Sequence, residues 1–224
     1  MTLGAALLYP LVAPADNSTS APEEQICDPI ADYYLGMEDY PTAVKLHLAV
    51  IRRHPDLALA YYHLGFAYGE LGDHKRELVD YQKAIELGLS DWELFLNLGR
   101  VYLESGAITQ AGDAFRLATL LAPTRYETHY NLGLVYERLG ALAKAEQEIL
   151  LSLRLQPDQL EARNTLGVIY AEEGNYVRAR QEWAELSDAY PDYTPARANL
   201  EILKRVERGE VDKSSQLSGL AKAP

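Results

Sequence analysis

The sequence predicts an all-α solenoid: about five stacked helix pairs closed by one further helix. Three observations carry this. Residues 92–125 (WELFLNLGRVYLESGAITQAGDAFRLATLLAPTR) and 126–159 share one skeleton, N-L-G-x-V-Y followed by a Gly, an Ala and a closing Pro. The skeleton recurs with a period of about 34 residues, the length of a helix–turn–helix unit. Finally, Pro55, Pro123, Pro157 and Pro191 fall at the unit ends, where proline stops a helix.

In this register the units are 24–57, 58–91, 92–125, 126–159 and 160–193, with a single helix over 194–208. The eighth position of each unit reads Ala31, Gly65, Gly99, Gly133 and Gly167. A residue without bulk there lets the two helices of a unit pack backbone to backbone. Three positions later stands an unbroken column, Tyr34, Tyr68, Tyr102, Tyr136 and Tyr170. Such rings are long, rigid and half-buried, suited to bridging one pair to the next. In the second helices Ala43, Ala111, Ala145 and Ala179 share a position at which the second unit carries Glu77. One turn further stand His47, Tyr81, Phe115, Ile149 and Trp183. Leu89 replaces the closing proline in the second unit, so Gly88 is expected to end that helix. That unit is the least regular. The first is weaker in its opening helix, shortened by Asp28 and Pro29, as terminal repeats usually are. Over 194–208, Ala196, Leu200, Leu203 and Val206 keep helical spacing behind Thr194 as N-cap and Pro195 at the first helical position. Gly209 ends the helix, and 209–224 read as a disordered tail.

Leu98-Gly99, Tyr102, Gly106, Ala111, Phe115, Ala118 and Pro123 resemble the tetratricopeptide repeat. The resemblance is strong over 58–193 and implies a right-handed α–α superhelix whose first helices line a concave face. Family geometry then places positions 2, 5, 6, 9, 12 and 13 of each unit in the groove. Position 6 gives His63, Asn97, Asn131, Thr165 and Asn199, with Asn164 beside the threonine. A side-chain amide offers donors and an acceptor to an extended peptide backbone. The asparagines are similar to the peptide-binding ladder of O-linked N-acetylglucosamine transferases; purely local hydrogen bonding is the competing role. Apolar groove candidates are Leu59, Tyr62, Phe66, Leu96, Leu103, Tyr130, Leu134, Val168 and Ile202. Glu93, Glu127 and Glu161, with Glu70, Glu104 and Glu172, form acidic columns that Arg100 and Arg138 interrupt. The partner so implied is a protein or peptide, apolar and neutral to basic. The family's carboxylate clamp needs Lys and Asn where this chain has Asp28 and Asp32, or Tyr62 and Phe66, so a terminal carboxylate is not the ligand.

Composition narrows the function further. A net charge of −12 argues against nucleic acid and anionic lipid as partners. Cys27 is the only cysteine, so no internal disulfide forms and no Cys-based zinc site is expected. The five histidines are scattered, no phosphate loop or nucleophile elbow occurs, and neither cofactor nor catalysis is expected. Residues 3–15 (LGAALLYPLVAPA) are too short for a membrane span but resemble the apolar core of a secretory signal. Two readings of 1–23 stay open: an export signal or anchor whose start lies upstream, giving an exported or membrane-associated protein, and a disordered apolar tail. The leading function is a noncatalytic scaffold that binds an extended peptide or partner helix in its groove. The alternatives are a pilotin-like envelope-assembly factor acting through oligomerisation, and the docking subunit of a separate enzyme.

Overall fold

A computed structural model describes residues 27–210 and Leu220. The apolar run expected over 1–23, and most of the tail expected over 209–224, lie outside the described residues. Eleven helices fill the described chain: α1 (Pro29–Gly36), α2 (Tyr40–Arg53), α3 (Ala58–Glu70), α4 (His74–Glu86), α5 (Trp92–Glu104), α6 (Ile108–Leu121), α7 (Tyr126–Arg138), α8 (Leu142–Leu155), α9 (Leu160–Glu172), α10 (Tyr176–Ala189) and α11 (Thr194–Glu207). Odd and even helices pair within units, and each helix packs mainly on its neighbours in sequence. That is the quasi-one-dimensional packing of a solenoid. Among the described residues no helix is long and apolar enough to cross a membrane.

The first helix of every unit stops in the same way. In α3, α5, α7 and α9 the carbonyl of the column tyrosine accepts a backbone N–H five residues on, from Asp73, Ala107, Ala141 and Asn175 at 2.8 Å each. The chain reaches that bond through a left-handed residue at Gly72, Gly106, Gly140 or Gly174. The first unit makes the same bond, Asp39 N–H to Tyr34 carbonyl, but with Glu38 at φ 60°. A side chain there strains the backbone by about 1–2 kcal/mol, and part of the relief from glycine is offset by its greater freedom when unfolded. Glu38→Gly is therefore expected to raise the unfolding free energy by about 0.5–1 kcal/mol; a fall in the thermal midpoint would show that the Glu38 side chain stabilises the turn by another route.

Second helices end before Pro55, Pro123, Pro157 and Pro191, whereas α4 ends through Gly88 at φ 93°, with Leu89 N–H bonded to the Ala84 carbonyl at 3.0 Å. Gly88 does the stopping that proline does elsewhere. At the far end α11 begins at Thr194 itself with Tyr193 as N-cap, one residue earlier than expected.

The glycine column works differently from the expectation. Its missing side chains are filled first by rings and branched chains of the second helix, with backbone close behind at Gly65 (Glu77 carbonyl, 3.2 Å from a Cβ there) and Gly133 (Ile149 nitrogen, 3.4 Å). A Cβ on Gly65 would stand 2.7 Å from Tyr81, on Gly99 2.5 Å from Phe115, and on Gly133 2.7 Å from Ile149. On Gly167 it would collide with the indole of Trp183. Tyr81, Phe115, Ile149 and Trp183 are all fully buried through this arrangement. The tyrosine column carries a further device. Arg76 lies over Tyr68 (4.4 Å), Lys144 over Tyr136 (5.4 Å) and Arg178 over Tyr170 (5.4 Å), a cation from the paired helix in three units.

Glu77 is buried although it stands at the alanine position of its unit. Gly69, opposite it on α3, makes the room: a Cβ there would lie 2.5 Å from the carboxylate. Burial holds the Glu77 carboxyl above the usual carboxylate range, and Nδ1 of His74, 2.9 Å away, is its partner.

Candidate functional site

Two adjoining pockets lie along the first helices of the middle units. One, about 170 Å³, sits between α3 and α5, where Phe66, Glu70, Asn97, Arg100 and Glu104 surround a floor of Tyr81 and Glu77. The other, about 460 Å³, sits between α5 and α7 and is bounded by Arg100, Leu103, Glu104, Asn131 and Arg138. They share Arg100 and Glu104, so the two form one continuous cleft. The first is dominated by carboxylates and the second by guanidinium groups. His74, at the edge of the first, is held above the usual imidazole range by its bond to Glu77.

Of the expected groove residues, Phe66, Glu70, Asn97, Arg100, Leu103, Glu104, Asn131 and Arg138 therefore come together in this cleft. Asn97 Nδ2 donates to the Tyr62 hydroxyl at 3.2 Å, tying α5 to α3. Asn131 Nδ2 donates to the carbonyl of Glu127 at 2.8 Å, one turn back on its own helix. One carboxylate oxygen of Glu127 is shut off from solvent without a hydrogen-bond partner, and Glu93 is exposed with its carboxyl raised by partial burial and then by Asp91.

Other expected groove residues are taken into the scaffold. Tyr62 packs against Tyr81 at 5.8 Å between ring centroids, and burial pushes its phenol well above the ordinary range. Tyr130 packs against the C-terminal apolar cluster, its phenol pushed up to about 12 by burial. Leu134 is a core residue, 5% exposed, and is not among the residues that line the two pockets of the cleft. Asn164 and Asn199 are corrected outright: both are buried, and Asn199 Nδ2 donates to Asn164 Oδ1 at 3.0 Å. They tie α9 to α11 instead of extending a ladder. Thr165, Val168 and Ala171, counterparts of Asn97, Arg100 and Leu103, are also buried, and Leu220 belongs to the same cluster as Val168 and Ala171. The concave face is thus closed at the fifth unit, and the open cleft spans units two to four.

His63 also departs from the expectation. It turns away from the ladder to Asp32, whose Oδ1 lies 2.8 Å from its Nδ1. Behind it His47 is fully buried, ring centroid 5.3 Å from that of His63. Burial lowers both imidazoles from the ordinary value, His47 to about 4. Cys27 completes the group with Sγ 4.0 Å from Nδ1 of His47; burial, then Asp32 and Asp28, push its thiol up to about 12. The histidines and cysteine that look scattered in the sequence are here neighbours. No local spacing signals them, since the four residues come from three helices and the segment before them. The one available hint was His47, a polar side chain at a position filled by Tyr81, Phe115, Ile149 and Trp183 elsewhere.

A solenoid of helix pairs repeated in register, with a cleft along its first helices, is the architecture of a helical repeat protein. Models of the tetratricopeptide repeat match residues 58–87, 96–159 and 150–194, together more than half of the sequence. The chain belongs to the tetratricopeptide repeat family. No curated protein matches it. Among solved structures it is similar to YrrB, a TPR protein with an unusual peptide-binding site, at 22% identity and a TM-score of 0.71, covering 77% of this chain and 89% of that one. It is also similar to MamA from Desulfovibrio magneticus, at 19% identity and a TM-score of 0.68 over 74% of this chain and 93% of the other. A tetratricopeptide repeat protein from Parabacteroides merdae gives 19% identity and a TM-score of 0.72 over 88% and 79%. At these identities the likeness concerns the fold.

Proposed function

We propose that the protein is a noncatalytic scaffold that holds an extended peptide segment of a partner protein along α3, α5 and α7. The observation that carries this reading is the pair of adjoining pockets, each with an asparagine at the same position of successive units, Asn97 and Asn131. Amides repeated at unit spacing suit a backbone that runs along the groove. The chemistry of the pockets refines the ligand. A lysine or arginine side chain fits the first, among Glu70, Glu77 and Glu104, while the second, between Arg100 and Arg138, favours an acidic one. The peptide-binding description of YrrB is consistent with this use of the fold.

The test uses a displayed library of short extended peptides, with fluorescence anisotropy on those selected. Arg100→Ala combined with Asn131→Ala is expected to weaken binding by about 10–100-fold, or about 1.4–2.7 kcal/mol. Arg100 is exposed and the Asn131 bond is local to its helix, so unfolding should shift by less than about 0.5 kcal/mol. Asn97→Ala differs, because loss of the bond to Tyr62 should lower stability by about 1 kcal/mol as well. Selected peptides that bind the double variant as tightly as the unaltered protein would place the binding site elsewhere.

A further inference from the structure

We propose that Cys27, Asp32, His47 and His63 form a four-ligand site for a borderline transition-metal ion, zinc above all, that pins α1 to α2 and α3. One donor atom from each of the four lies within 4.8 Å of every other, and among the described residues this is the place where three or more such groups converge. A tetrahedral zinc site with bonds of about 2.0–2.3 Å has ligand-to-ligand edges of roughly 3.3–3.8 Å. The group therefore closes with side-chain movements of about 1 Å. Asp32 Oδ1 is already 2.8 Å from His63 Nδ1 and 3.8 Å from His47 Nε2.

Two further features point to a ligand. His47 is fully buried, yet its Nε2 has no hydrogen-bond partner, which is costly for a buried polar atom unless something else occupies it. Asp32 is oriented from behind: the backbone N–H of Cys27 donates to its Oδ2 at 2.9 Å and that of Asp28 at 3.3 Å, leaving Oδ1 to face the histidines. Outer bonds of this kind orient the residues that hold a metal ion. A thiol, two imidazoles and one carboxylate select zinc, cobalt or copper over calcium and magnesium, which take oxygen alone. With all four positions filled by protein the site is of the structural kind. The need is plain in α1, eight residues long with Ala31 as its buried side chain. Loading moves the Cys27 proton to solvent and leaves the thiolate on the metal. The Asp32–His63 hydrogen bond is then replaced by bonds to the ion.

The experiment is a titration of the full, chelator-stripped, reduced chain with Co²⁺, read by visible absorption and followed by competition with Zn²⁺. The expected result is one equivalent of tetrahedral Co²⁺ with a thiolate-to-cobalt charge-transfer band, displaced by Zn²⁺. Zn²⁺ should also raise the thermal midpoint and protect Cys27 from a thiol reagent. Cys27→Ser should abolish the charge-transfer band and weaken Co²⁺ by more than about 100-fold, since even outer-shell losses cost about 10–100-fold. His47→Gln serves as the second variant, with far-ultraviolet circular dichroism confirming its fold. Absence of saturable binding, a spectrum without the thiolate band, or equal binding by Cys27→Ser overturns the proposal.

Discussion

Replacing Trp183 by alanine is expected to lower the unfolding free energy by about 3–5 kcal/mol. Trp183 is the largest fully buried side chain among the described residues, and its cluster joins Ile149 of α8, Leu166 and Ile169 of α9, Leu186 of α10 and Leu203 of α11. Its Nε1–H also donates to the Asn164 carbonyl at 3.2 Å, so the substitution removes a buried hydrogen bond with the ring. The void would be bounded by helix backbone at Gly167, which has no side chain to swing into it. Collapse is therefore limited, and the loss belongs at the upper end of the large-to-small range. In a solenoid the damage should stay near its origin. Urea unfolding gives the magnitude, and hydrogen exchange should show α9, α10 and α11 losing protection while α3 to α6 keep theirs. A loss below about 1 kcal/mol would mean that the C-terminal cluster repacks without its ring.

Gly99→Ala has the second large effect, about 2–3 kcal/mol of destabilisation. In an open helix the same change would stabilise by about 1 kcal/mol, because alanine is the better helix former. Here the added Cβ would stand 2.5 Å from the Phe115 ring, itself fully buried and unable to move away cheaply. The sign of the effect thus reports whether the ring occupies the seat. Pairing the change with Phe115→Leu should recover about 1 kcal/mol relative to the sum of the single effects, as expected for residues in contact. Gly36→Ala is the control: a Cβ there meets nothing within 4 Å, and its substitution should leave the midpoint unchanged or raised. Stabilisation by Gly99→Ala would undo the account of the glycine column.

Most of the scaffold was legible from period alone. Helix stops follow from local chemistry, so Gly88 standing in for proline could be read from its own segment. The site was legible only in part. Phe66, Asn97, Arg100 and Asn131 reach the cleft because they sit on units two to four, away from the helix α11 that closes the array. Asn164 and Asn199 carry the same residue type, yet α11 packs on α9 and turns the pair inward, an effect that no unit reveals by itself. Leu134 is likewise decided by its surroundings, since the same position bears an exposed Arg100 one unit earlier. The Cys27–Asp32–His47–His63 group was hidden because it is assembled across helices. Its members have no shared local spacing, and only the oddity of His47 in a core column marked it.

The pairing of Gly69 with Glu77 has a consequence for recombining this protein with its own units or with others. Each member fits because of the other: the carboxylate occupies the space where a side chain at Gly69 would stand. Transplanting α5 in place of α3 would bring Leu103 to the Gly69 position and drive it into Glu77. Moving α3 and α4 together carries the compensation along. Crossovers between units are thus tolerated where crossovers within the second unit are not, and chimeras cut between α4 and α5 should fold where those cut between α3 and α4 fail.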